Sequence, residues 1–135
     1  MQPVKLTRLN DWINRGVESK YAVKRLKNAS EILNPASIDK LKKAGEKFLG
    51  KNYDLYFEWS NERIYCSELV WKMYNEALGI QICKLEKMKD FDLSHPMVQE
   101  KIKERFGDNI PVDEIVISPV SIYNSDLLTL IYSNY

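Results

Sequence analysis

Residues 50–79, GKNYDLYFEWSNERIYCSELVWKMYNEALG, decide the fold. After Cys66 the apolar residues fall at Leu69, Val70, Met73, Tyr74, Ala77 and Leu78, a helical spacing. Gly79 supplies the C-terminal stop, because glycine reaches the left-handed conformation that ends helices. The aromatic, acidic run before it, 52–59, gives way to turn chemistry at Ser60-Asn61-Glu62. Cys66 therefore sits at or near a helix N-terminus. Unpaired backbone N–H groups and the positive end of the helix dipole favour a thiolate there. That is the physical recipe for a nucleophilic cysteine, and it requires a base.

Outward from this stretch, Asn34-Pro35 opens a second helix, with Asn as N-cap and Pro at the first helical position. Ile38, Leu41, Ala44, Phe48 and Leu49 form its apolar stripe and Gly50 ends it. Lys40, Lys42, Lys43 and Lys47 lie mostly off that stripe, on a solvated face. Upstream, Val4–Leu6 reads as an extended entry and Thr7 as the N-cap of a helix through Asn14, carrying Leu9, Trp12 and Ile13. Residues 20–27, KYAVKRLK, alternate as a strand with one wet face. Downstream, the spacing predicts a helix from about Pro96 to Phe106, with Val98, Ile102 and Phe106 inward. A short strand follows at Ile115–Ile117, ended by Ser118-Pro119. Residues 127–132 form a terminal strand or helical turn.

Composition narrows the class. With 135 residues, 44% apolar and 29% charged, the chain fits one globular domain and has enough length for a core without disulfide staples. Twenty basic against nineteen acidic side chains leave a net charge of +1, so no global field draws it to nucleic acid or to an anionic membrane. Cys66 and Cys83 are too few for a disulfide framework, and Cys83 reads as a small apolar residue. No apolar run reaches transmembrane length, and MQPVKLTRLNDW lacks the pattern of a secretory leader. As written, the chain is expected to stay where it is made.

Gly50-Lys51-Asn52-Tyr53, then Tyr65-Cys66-Ser67-Glu68-Leu69-Val70, Tyr74 and Gly79, resemble the nucleophile region of papain-like bacterial cell-wall peptidases. The likeness is closer still to the permuted papain-like amidases of the YiiX/YaeF type. YDLYFEW, a short turn and YCSELVW carry it. PVKLTRLNDWINRG, YAVKRLKN, DFDLSHPMV and IVISPVSIYNS are similar to further segments of that family, so the resemblance covers nearly the whole chain.

The resemblance implies an α+β, permuted papain-like fold: a small antiparallel sheet packed with three to four helices, the Cys66 helix central against it. It implies a cysteine amidase or peptidase acting on peptide or other amide or acyl substrates. No cofactor is expected, and with no CxxC and no Cys/His cluster no metal site is expected either. Cys66 would be the nucleophile. Tyr53 would stand beside it, its hydroxyl polarising the acyl oxygen. Ser67 would contribute its backbone N–H and line the pocket, and Tyr65 would belong to the substrate wall. In the family the partner histidine lies on an N-terminal strand, in a segment resembling SHVGI, with its polar partner on the next strand. No segment here matches either, so the chain is expected to be the C-terminal portion of a family domain, incomplete at its N-terminus. Family members are often exported.

His95 is the sole histidine, and Ser94-His95-Pro96 reads as a helix start rather than a replacement base. Asp54, Glu58, Glu62 and Glu68 match no metal-loop spacing and read as structural charges. Three expectations follow. One is a hydrolase weakened by its missing base, since losing a general acid–base group from such a unit removes orders of magnitude of rate. Another is a ligand-binding remnant that keeps the pocket. The last is a homodimer through a sheet edge left unpaired.

Overall fold

A computed structural model describes residues 2–135. Six α-helices and six short strands follow one another: α1 (Leu9–Arg15), β1 (Ala22–Leu26), α2 (Ala29–Ile32), α3 (Pro35–Glu46), β2 (Asn52–Tyr53), β3 (Arg63–Ile64), α4 (Cys66–Leu78), β4 (Glu86–Lys87), α5 (Pro96–Phe106), β5 (Ile115–Val116), α6 (Pro119–Tyr123) and β6 (Leu128–Ser133). The α+β class holds. The sheet differs from the expected one: it is three separate two-stranded ladders, β1–β6 and β4–β5 antiparallel and β2–β3 parallel. Four of the six strands are two residues long, too short to carry the alternation that reveals a strand. The terminal segment resolves as strand β6, paired to β1 across nearly the whole chain length with a bulge between Val23 and Lys24.

Helix α3 begins as its sequence dictates. Asn34 accepts from the Ser37 N–H at 3.0 Å while Ser37 Oγ accepts from the Asn34 N–H at 2.9 Å, a reciprocal box that satisfies two end donors. Ala44 and the following Phe48 are buried, but Ile38 and Leu49 of the expected stripe are exposed. Helix α3 packs on α4, where Gly45 faces the flexible Met73 side chain, whose Cε would lie 2.9 Å from a Cβ at that position. Helix α1 starts at Leu9, after an Arg8 that makes no side-chain cap, and Leu9 and Trp12 stand exposed. Helix α4 runs to Gly79, whose φ of 65° is the left-handed stop.

The core gathers Trp71 of α4 with Ile82 and Ile117; Trp59, Tyr74, Cys83, Ile122 and Leu128 close around them. Trp59 and Trp71 meet edge to face at 5.5 Å, a geometry aromatic quadrupoles favour. Two buried carboxylates shape the loop between β2 and β3. Asp54, fully buried, accepts from the N–H groups of Tyr56 (2.9 Å) and Glu58 (2.7 Å), closing the turn on itself. Within that turn Phe57 takes φ 55°, a left-handed conformation that costs a side-chain-bearing residue about 1–2 kcal/mol.

Glu68, also fully buried, accepts from Lys72 Nζ at 2.7 Å one turn along α4 and from the Tyr65 N–H at 3.4 Å. Lys72 reaches on to the Ser60 carbonyl and Asn61 Oδ1 and lies over the Trp59 ring, so one ammonium ties the loop to the helix. Burial raises the Glu68 carboxyl above the ordinary glutamate value of 4.5, with Lys72 and the Tyr65 N–H pulling it partly back. Between the unfolded and folded values the native state therefore holds the extra proton, and stability falls as pH rises through that window. Denaturant titrations from pH 4 to 7 should show wild-type stability declining relative to Glu68→Gln above about pH 4.5. A difference constant with pH would contradict this account of Glu68.

Candidate active site

Strand pairing brings the first two site residues together. Tyr53 of β2 lies in register with Ile64 of β3, two residues before Cys66, and the Asp54 N–H continues the ladder to the Ile64 carbonyl at 3.2 Å. Cys66 is the first residue of α4 and is exposed as a free thiol. Its neighbours on either side are not exposed: Tyr65 and Ser67 are 2% and 4% accessible.

Both neighbours grip one residue, Ile117, just past β5. Tyr65 Oη accepts from the Ile117 N–H at 3.1 Å, and Ser67 Oγ donates to the Ile117 carbonyl at 2.7 Å. The flanking side chains thus satisfy both backbone groups of a 1%-accessible residue, and Cys66 is held outward between them. Burial drives the Tyr65 hydroxyl far above its usual range. The hydroxyls of Tyr65 and Ser67 are therefore committed to the wall behind the thiol. Both residues still line the cavity in front of it.

The first-turn N–H groups of α4 have no intrahelical acceptor; the helical ladder begins with Leu69 donating to the Tyr65 carbonyl. Tyr53 is half-buried, and burial together with the Cys66 sulfur raises its hydroxyl, against a downward pull from Arg105. That hydroxyl stays protonated at neutral pH and remains a donor beside the sulfur.

Cys66, Tyr53 and Tyr65 stand between two cavities. One, of about 640 Å³, is walled by Phe57, Met88, Phe91, Val98, Ile102 and Ile117, with Arg105 and Lys101 on its α5 side. The other, about 260 Å³, lies under residues 2–5 with Thr7 and Arg15. The Val4 N–H and carbonyl pair with Lys51 and Gly50, which holds the entry segment over it.

His95 is not in the lining of either cavity. Its Nδ1 accepts from the Met97 N–H at 3.3 Å as the N-cap of α5, the role its sequence context suggests. Cys83 lies against the core, and burial pushes its thiol up. Sequence reasoning missed Ile117, Phe57 and Arg105. Ile117 is fifty residues from Ser67, and nothing local marks the pairing. Phe57 belongs to the YDLYFEW segment, but nothing in that segment marks its ring as a wall of the site, and Arg105 reads only as a charged residue in the last turn of a helix.

The arrangement is that of an exposed cysteine at a helix start, beside the two-stranded β2–β3 ladder and facing a largely apolar cleft. A crystal structure of the metalloprotein YiiX from Escherichia coli O157:H7 superposes on the whole chain with TM-score 0.94 and 43% identity, the match covering 73% of that protein. An uncharacterized protein YiiX of Escherichia coli K12 is 45% identical over 129 residues, 96% of this chain and 62% of the relative's length. Residues 1–132 match the family described as permuted papain-like amidase enzyme, YaeF/YiiX, C92 family, and the chain belongs to that family.

The metal in the description of the solved relative finds no donor set here. Among the described residues no group of three or more His, Cys, Asp or Glu is placed to hold an ion. The two fully buried carboxylates, Asp54 and Glu68, are engaged by backbone N–H groups and by Lys72.

Removing either hydroxyl of the grip leaves a buried backbone group of Ile117 without its partner, at a cost of about 1–3 kcal/mol. Tyr65→Phe and Ser67→Ala should each lower stability by about that amount in urea titrations, and the pair should couple in a double-mutant cycle. Additive losses within about 0.3 kcal/mol would contradict a shared grip.

Proposed function

We propose that Cys66 is the nucleophile of an acyl-transfer reaction on amide, ester or thioester substrates with an apolar acyl group. The observation that carries this reading is the exposed Cys66 thiol, fixed by its buried neighbours at the edge of the 640 Å³ apolar cleft. The sulfur attacks the acyl carbon, forming a C–S bond as the leaving group departs with a proton, and water then releases the acid. In the tetrahedral state the Tyr53 hydroxyl and the free N–H groups at the start of α4 would donate to the oxyanion. Membership of an amidase family supports the class; peptides, amino-acid amides and lipid amides all fit it.

Protonating an amine leaving group requires an acid that His95, occupied as a helix cap, does not supply. These residues by themselves are therefore suited to substrates whose leaving group needs no proton donor, and to slow amide cleavage. A binding role that keeps the cleft is the second reading. It is favoured by the same fact: a well-formed apolar cleft beside a thiol with no imidazole among the residues lining it.

Medium-chain acyl thioesters should be hydrolysed, with the rate falling at least about a hundredfold in Cys66→Ala and about tenfold or more in Tyr53→Phe, while Cys83→Ala retains it. Residual thioesterase activity undiminished in Cys66→Ala would overturn the nucleophile. No turnover by wild type, with saturable binding of the acyl chain, would favour the binding role.

A further inference from the structure

The charged groups around the large cleft are not equivalent. Asp92 is engaged by the Ser94 N–H and hydroxyl, at 3.0 and 2.5 Å, and Lys101 pairs with Glu104 at 2.9 Å. Arg105, one turn along α5 from Lys101, forms no ion pair among the described residues. It is half-buried on a largely apolar wall, its guanidinium 4.9 Å from the centre of the Phe57 ring. Phe57 in turn meets Tyr65 edge-on at 5.2 Å, next to the nucleophile. Phe57 holds this place through a left-handed φ of 55°, imposed by the two bonds Asp54 makes around it. A bulky residue in that region marks a place where the surroundings over-determine the backbone, and such places cluster at ligand clamps.

A cation seated on an aromatic face, without a carboxylate partner, on the wall of an apolar cleft is positioned to receive an anion. Arg105 lines the same cavity as Cys66 and Tyr53. Resting on the acyl-transfer reading of Cys66, we infer that Arg105 is a specificity-determining residue: it selects substrates that carry a carboxylate close to the scissile acyl group, with the apolar chain alongside in the cleft.

The test compares two thiol-alkylating probes, N-iodoacetyl-2-aminodecanoate and its neutral primary carboxamide, with plain iodoacetamide as reference. In each, the Cys66 sulfur displaces iodide, forming the C–S bond while the thiol proton passes to solvent. Peptide mapping gives the second-order rate at Cys66. Wild type should prefer the carboxylate probe over the carboxamide by about tenfold, the scale of one charge-assisted hydrogen-bonded contact. In Arg105→Gln that ratio should fall to within about twofold of one, and Arg105→Lys should lie between. A ratio unchanged in Arg105→Gln overturns the inference. So does a wild-type ratio near one with the carboxamide still outrunning iodoacetamide, which leaves the acyl cleft standing. Loss of the chain-length advantage itself overturns the reading of the cleft, and this inference with it.

Discussion

The structure turns on a double hydrogen bond to one residue. Tyr65 and Ser67, on either side of the thiol, take the N–H and the carbonyl of Ile117, and all three side chains are buried. Such a grip is stringent because a buried backbone group left unpaired costs about as much as several ordinary contacts contribute. It fixes the first turn of α4 against the end of β5. With that fixed, the thiol can point only away from the core, and the segment after β5 becomes one wall of the cleft. The Glu68–Lys72 pair acts one turn deeper, tying the loop at Ser60 and Asn61 to the same helix. The position of the Cys66 thiol is thus set by the core and not by the surface on which it lies.

Much of this was legible in the sequence, and unevenly. Helices α3, α4 and α5 announce themselves through caps, periodicity and terminal glycines, which are local signals. The placement of Cys66 at a helix start followed from the same kind of signal, while that of Tyr53 beside it came only from the family resemblance. The sheet was not legible as three ladders, because two-residue strands carry no period and their pairing is decided by partners far along the chain. The exposed Leu9, Trp12 and Ile38 show the opposite limit: an apolar stripe states what could be buried, while the neighbours decide what is. Tyr65 and Ser67 belonged to the recognised motif, yet their hydroxyls serve Ile117, a partner that lies far from both in sequence.

The chain spans 62% of the length of the curated relative it matches, so the activity of the longer protein is a separate matter from the chemistry of these residues. Within them the two thiols divide cleanly. Cys83 packs against Trp71 and its neighbours, with its carbonyl accepting from the Trp71 indole at 2.9 Å, and burial disfavours its thiolate. Cys66 has an exposed sulfur, a first-turn N–H array and a tyrosine donor beside it. That contrast is what a preset nucleophile requires, whichever leaving group it meets.

Trapping the acyl group on the protein tests this most directly. The chain, incubated with a medium-chain acyl thioester and quenched in acid, should carry one acyl group by intact mass, and peptide mapping should place it on Cys66 with Cys83 unmodified. Acylation of Cys83 as readily as Cys66, or of neither, would contradict a preformed nucleophile site.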